Sequence, residues 1–316
     1  MSRRSASLVL VFLLLASVAG AATVGERVTY VVAGSTAGAN GSSFKTSIQL
    51  YNPTTERMEG QLVLYLAGEP REPSRFHYAV GAGETIGYED FIAAQLMLTT
   101  GPLFGSLDIV PTAGAAPIAQ VRIYSDGGAN GTTGMSVEPA APYNVIRAGE
   151  RTAHVTRHST TNERINIGVR SLEAGARVRF TSWGEYRILR QVERTYAPNT
   201  FEQTDLGTFI GTDTHGIVVE VLEGSIITYT ALTDNRSQDP LMTLAERTSN
   251  TPVKRIVPIL GSTPGQFGSS FRTEVAVFNP HEITFFMQLV YREMNIPGSS
   301  HDLLGTMRMQ PFQAST

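Results

Sequence analysis

Several groups of residues in this chain have the types and spacing to do chemistry. Ser42-Ser43-Phe44-Lys45 has the Ser-x-x-Lys spacing by which a lysine amine activates a serine nucleophile one helical turn earlier. That geometry needs a helix, and here the run leads from a glycine-rich loop into strand-like alternation. Arg272 stands at the position of Lys45 in a second copy of the same stretch, and a guanidinium does not serve as a neutral base. Neither a Ser-Asp-Asn nor a Lys-Thr-Gly companion motif occurs. Gly34-Ser35-Thr36-Ala37-Gly38 has the outline of a nucleophile elbow, but its centre is threonine and no strand–turn–helix pattern surrounds it. The glycines read more simply as suppliers of positive φ.

His154 and His158 are spaced to share one face of a helix and bind zinc. Their surroundings read as extended, which sets positions four apart at roughly 13 Å. His77, His215, His281 and His301 are scattered singly. Calcium has the better case. Asp234, Asn235 and Asp239 bring three oxygen-bearing side chains into six residues, and Asp126-Gly127-Gly128-Ala129-Asn130 lies at the matching place in the preceding unit. The same residue types close turns without metal, and Arg236 opposes a cation, so a plain hairpin loop is the preferred reading. Tyr65, Trp183 and Tyr186 are the aromatics to inspect for a sugar-binding platform, although packing is the commoner use of such residues. Asn40, Asn130 and Asn235 head Asn-x-Ser/Thr triplets, read as unglycosylated behind a bacterial-looking leader.

The elements that must position these residues are strands. Ile48 and Leu50 alternate with Ser47 and Gln49, and Leu62, Leu64 and Leu66 share one phase of the next run. Turn-rich Asn52-Pro53-Thr54-Thr55-Glu56-Arg57 separates them. Short helical segments are expected at Tyr88–Leu98 and Asp205–Phe209. The organising feature is a repeat. Gly34 to Thr46, ending in Asn52-Pro53, returns as Gly261 to Thr273, ending in Asn279-Pro280, at a constant offset of 227. A diverged copy lies between: Arg164 to Leu172 overlies Lys45 to Pro53, and Gly224 to Asp234 overlies Ala116 to Asp126. Modules are therefore expected over 28–145, 150–250 and 254–316, the third with two or three strands and no back half. Such a fragment is expected either to be a truncated unit or to pack on a neighbour.

Residues 1–21 have the layout of a secretory signal: Arg3 and Arg4, the apolar run Leu8 to Leu15, and Ala19-Gly20-Ala21. No comparable run follows, so no membrane span is expected after cleavage. The formal charge of −3 with no basic block argues against nucleic acid. The absence of cysteine removes thiolate nucleophiles and thiolate metal sites.

The Gly-Ser-Thr-x-Gly-x-x-Gly-Ser-Ser-Phe-x-Thr lead, the Asn-Pro that follows it, and Tyr229 to Pro240 with its Asp234-Asn235-Arg236 loop resemble the pattern of uncharacterised secreted bacterial repeat proteins. The middle unit lacks the glycine-rich lead and the Asn-Pro. The resemblance implies immunoglobulin-like extracellular modules and brings no activity or ligand. The expected fold is all-β, a tandem of immunoglobulin-like sandwiches with the last incomplete. The expected function is a secreted, non-catalytic structural, adhesion or interaction module without a cofactor, its partner an extracellular protein or polysaccharide. A carbohydrate-binding accessory module is the first alternative. A hydrolase whose loops bring Asp126, Asp234 and His154 together is the second.

Overall fold

The computed structural model describes residues 25–68, 72–95, 103–127, 131–156, 163–211, 214–248, 254–291 and 302–315. The leader therefore lies outside the described residues. The chain is all-β and its pairings are antiparallel. The first unit runs β1 (Val28–Ala37), β2 (Ser43–Tyr51), β3 (Met58–Leu66), β4 (Ser74–Val80), β5 (Thr85–Tyr88), helix α1 (Phe91–Gln95), β6 (Leu103–Ala113), β7 (Ile118–Asp126) and β8 (Thr132–Val137). One layer has the order β4-β3-β6-β1 and the other β5-β2-β7-β8. β1 belongs to both: it pairs with β6 as far as Ser35 and then with β2 at Thr36 and Ala37. Alternation fills the space between the layers, with Ile48, Leu50, Leu62, Leu64, Leu107, Ile109, Val121 and Ile123 all buried.

The second unit runs β9 (Ile146–Arg147), β10 (Arg151–Val155), β11 (Glu163–Trp183), β12 (Ile188–Tyr196), β13 (Phe201–Asp205), helix α2 (Leu206–Ile210), β14 (Gly216–Asp234) and β15 (Pro240–Leu244). It starts earlier than position 150, because β9 pairs with β14. β11 and β14 each run through both layers. Residues 163–171 of β11 pair with β13 and with 226–234 of β14; residues 176–183 pair with β12 and with 216–224. β10 and β15 complete the two layers. The orders β12-β11-β14-β10 and β13-β11-β14-β15 follow those of the first unit strand for strand. Both helices form where expected but are short, and Asp205 caps α2 by accepting from the Thr208 amide at 2.8 Å.

The two units share a core. Phe201, Ile227, Tyr229 and Ala231 project from the outer face of the β13-β11-β14-β15 layer into the buried cluster of the first unit. The β4-β3-β6-β1 layer is thus covered on both sides: Leu107 and Ile109 on one face of β6, Ser106 and Asp108 on the other, are each 1 % exposed or less. Phe104 meets Phe201 edge-on at 5.0 Å.

The third unit contains β16 (Ser262–Pro264), β17 (Ser270–Arg272), β18 (Val277–Phe278), β19 (Phe285–Tyr291), β20 (Asp302–Met309) and β21 (Ala314–Ser315). β16–β17, β18–β21 and β19–β20 pair as β1–β2, β2–β5 and β3–β4 do. It therefore has more strands than its sequence pattern suggests, including counterparts of β4 and β5. It touches the second unit through Phe312, which lies flat on Trp183 at 3.6 Å, and through Phe278, whose ring covers Gly216.

Candidate functional site

The glycine-rich lead is occupied by its own architecture. Gly38 donates its amide to the Ser42 carbonyl at 2.8 Å, and Ser42 Oγ donates to the Ala39 carbonyl at 2.8 Å. A Cβ on Gly38 would fall 2.2 Å from Ser42 Oγ and 2.6 Å from the Phe44 ring, so a larger residue would have to displace both side chains. Thr46 Oγ1 accepts from the Gly34 amide at 2.7 Å and donates to its carbonyl at 2.8 Å. The third unit repeats the pattern with Gly265, Ser269, Phe271, Thr273 and Gly261. The residues that suggested a nucleophile hold a loop closed.

Asn52 is more than a turn residue. Its side chain is fully buried where β2 turns the corner into β3. Nδ2 donates to the carbonyls of Glu56 (2.6 Å) and Val80 (3.0 Å), and Oδ1 accepts from the Thr54 amide (2.9 Å). Asn279 does the same with Ile283, Gln310 and the His281 amide. In the second unit Ser171 replaces it, donating to the Ala197 carbonyl at 2.6 Å and accepting from the Thr200 amide at 2.9 Å. Burial of an amide that satisfies three backbone groups explains the motif.

The Asp234 loop is tied internally and to an arginine. Asp234 Oδ1 accepts from the amides of Ser237 (2.6 Å) and Arg236 (2.8 Å) and from Ser237 Oγ (3.0 Å), and these donors hold the carboxyl below its usual range. Arg164 donates to Asn235 Oδ1 at 2.8 Å and to Gln238 Oε1 at 2.9 Å, placing a guanidinium among the oxygens proposed for calcium. Asp239 is exposed beside Asp234, and its carboxyl is pushed up by desolvation first and then by the Asp234 charge. Asp126 is not the counterpart of Asp234. Phe44 pairs with Ser125 in the first unit, and Glu163 with Asp234 in the second, so the pairing register is one residue off the sequence match. Among the described residues no group of three or more His, Cys, Asp or Glu side chains is placed to hold a metal.

His154 points into the core of the second unit, 3 % exposed. Its Nε2 lies 3.2 Å from Thr228 Oγ1, which donates to the Gly168 carbonyl at 2.9 Å; Nε2 therefore carries the proton. Burial pushes its pKa down to about 4. His158 lies outside the described residues.

The three aromatics do not form one platform. Tyr65 is buried beneath the Arg170 guanidinium, 3.7 Å from its ring centre. Trp183 is covered by Phe312. Tyr186 is exposed in the β11–β12 turn with φ 61°.

The densest polar cluster was not read from the sequence. Arg170 reaches from β11 into the first unit and is fully buried, with Asp108 1 % exposed. Arg170 Nη2 lies 3.7 Å and Arg27 Nη1 3.5 Å from Asp108 Oδ2, and Arg27 also pairs with Glu173 across the units. Arg170 donates to the Ser171 carbonyl and to Asn199 Oδ1. Both Asp108 oxygens and Arg170 Nε lack a hydrogen-bond partner. Burial raises the Asp108 carboxyl against the pull of Arg170 and Arg27, and lowers Arg170. Outward phase on a strand was the only signal, and it is the same for a residue facing solvent. The ladder of the second unit puts Val218 at the equivalent position; Glu220, at the place of Val110, pairs at the surface with Arg179 (2.9 Å) and Arg151 (3.4 Å). The Asp108–Arg170 arrangement can lock two units in register.

No protein-family model matches the chain, and no curated protein matches its sequence.

Proposed function

We propose that this chain is an exported, non-catalytic structural or interaction module made of stacked β-sandwich units, acting outside the cytoplasm on an extracellular protein or polysaccharide. The observation that carries the reading is the joint between the first two units: a shared core with Arg170 seated on Tyr65 and Asp108. A fixed joint suits a scaffold that presents surfaces at set spacing. The residues that could have served catalysis are used by loops, corners and cores, which favours this reading over a hydrolase. The secretory layout of residues 1–21 and the resemblance to secreted repeat proteins supply the address.

The test is to express the tagged full chain in a bacterium and fractionate the cells. A species beginning at Ala22 outside the cytoplasm, with small-angle scattering that fits a rigid stack, is the expected result. An unprocessed cytoplasmic chain, or scattering from units that tumble independently, would sink the proposal.

A further inference from the structure

The two joints use the same seat. In the first, Arg170, the residue before the corner serine Ser171, lies over Tyr65. In the second, Phe278, the residue before the corner asparagine Asn279, covers Gly216, and Phe312 stacks on Trp183. Trp183 pairs with Gly216 as Tyr65 pairs with Ser106, so the two receiving faces correspond. What lies under the second seat differs. Gly216 also pairs with Val155 of β10, the edge strand of its layer, and β10 lies against β18. Thr156 donates its amide to the His215 carbonyl at 3.1 Å, and His215 donates its own to the Trp183 carbonyl at 2.8 Å. The seat is thus tied from Trp183 through His215 to β10. On the inner side of β10, next to Val155, sits His154, the only buried histidine among the described residues.

We propose that the joint between the second and third units is an acid-released latch: protonation of His154 frees β10 from the sheet edge, and the third unit loses its seat. Among the described residues an imidazolium finds no counter-charge there. Thr228 Oγ1, the side-chain partner of Nε2, spends its own proton on the Gly168 carbonyl. His215 on β14 follows the inward phase of Ile217 and is itself basic. Glu246 and Arg247, from the segment that crosses Thr152, pair with Arg255 and Glu150 near the surface. Arg151 and Glu220 pair on the outer face, Arg147 of β9 is exposed, and Arg170 of β11 points into the first unit. β18 carries no charge. An edge strand can leave without breaking the central ladder of β11 with β14, so the opening is local. The sign follows from linkage. The opened strand takes up its proton at a pH of about 6.5 and the closed one at about 4, so opening gains as pH falls between the two. The first joint, closed by Arg170 on Tyr65 and Asp108, has no buried histidine and is the internal control. This regulation goes beyond the reading of the chain as a module and does not depend on what that module binds.

The test uses the full chain, with hydrogen exchange corrected for its intrinsic pH dependence and with the emission of Trp183, the one tryptophan. From pH 7 to pH 5 the opening of 151–156 should rise about 20-fold, with about threefold reached by pH 6. Trp183 emission should shift to the red over the same range as Phe312 leaves, while β6 keeps its protection. His154→Gln, whose amide still offers a donor to Thr228, should abolish both changes, and His215→Gln should keep them. Opening that persists in His154→Gln, that vanishes in His215→Gln, or that comes with equal loss across β6 would overturn the proposal. So would a Trp183 emission that stays constant. If His154→Gln does not fold at pH 7, the unaltered chain decides: a rise of less than about twofold by pH 5 overturns the latch. None of these readouts depends on export.

Discussion

Asp108 and Arg170 are paired at a distance that leaves both underserved, which sets what each substitution should do. Removing Arg170 alone strands a buried carboxylate, so Arg170→Met is expected to cost about 3–5 kcal/mol in denaturant unfolding. Asp108→Asn with Arg170→Met should regain most of that loss, and a double variant no better than the single one would refute the coupling. The pH dependence has a definite sign. A folded-state carboxyl raised above its unfolded value holds its proton more tightly when folded, so its contribution falls as pH climbs from about 4 through the raised value. Arg170→Met should steepen that fall. His154 works the other way. Its folded pKa of about 4 lies below the unfolded value of about 6.5, so stability is lost on acidification between the two, by roughly 3 kcal/mol. His154→Gln should flatten that part of the stability–pH curve. None of this was visible in the one-dimensional pattern. Asp108 and Arg170 occupy outward phases, and a strand pattern cannot tell an outward residue in water from one under a neighbouring unit.

At the scale of elements, the corner from β2 to β3 turns on one side chain. Asn52→Ala would leave the Glu56 and Val80 carbonyls and the Thr54 amide without their partner, at a cost of about 2–3 kcal/mol. Thermal unfolding of Asn52→Ala against Asn52→Ser, the residue type used at the second unit's corner, reads this directly; partial rescue by serine is expected. For the Asp234 loop, Arg164 already supplies the positive charge. Calcium is therefore expected to leave the melting temperature unchanged, and a rise that chelator reverses would show a site after all. The strands themselves were legible: Leu62, Leu64, Ile48 and Leu50 gave their inward phase by alternation. The slip between Asp126 and Asp234 was not, because matching residue types align by sequence whereas ladders align by hydrogen bonds. Packing was the preferred use of Tyr65 and Trp183, but what they pack against was not legible, since their cover comes from residues about 100 or more positions away, Arg170 and Phe312.

At the scale of the whole molecule, the shared core predicts shared unfolding. The first two units bury Phe201 and Tyr229 together with Leu107 and Ile109, so hydrogen exchange across β6 and β14 should report one opening free energy. Two well-separated values would mean that the joint is weaker than its packing implies. The repeat length carries a related message. An offset of 227 spans two units, so the third unit copies the first and not its neighbour, and the outer face of the second differs accordingly. There Arg177, Arg179, Glu193, Glu220 and Glu223 form a surface lattice of ion pairs, and the ladder positions of Tyr65 and Asp108 are taken by Trp183 and Val218.

The unbroken course of β11 and β14 through both layers of the second unit has a mechanical meaning. In the first unit a pull on the ends meets separate strands, which can peel one layer before the other. In the second, tension along β11 loads two stretches of ladder with β14 on one strand, Glu163–Ser171 in one layer and Ala176–Trp183 in the other. Under load, the two layers of the second unit are therefore expected to yield together.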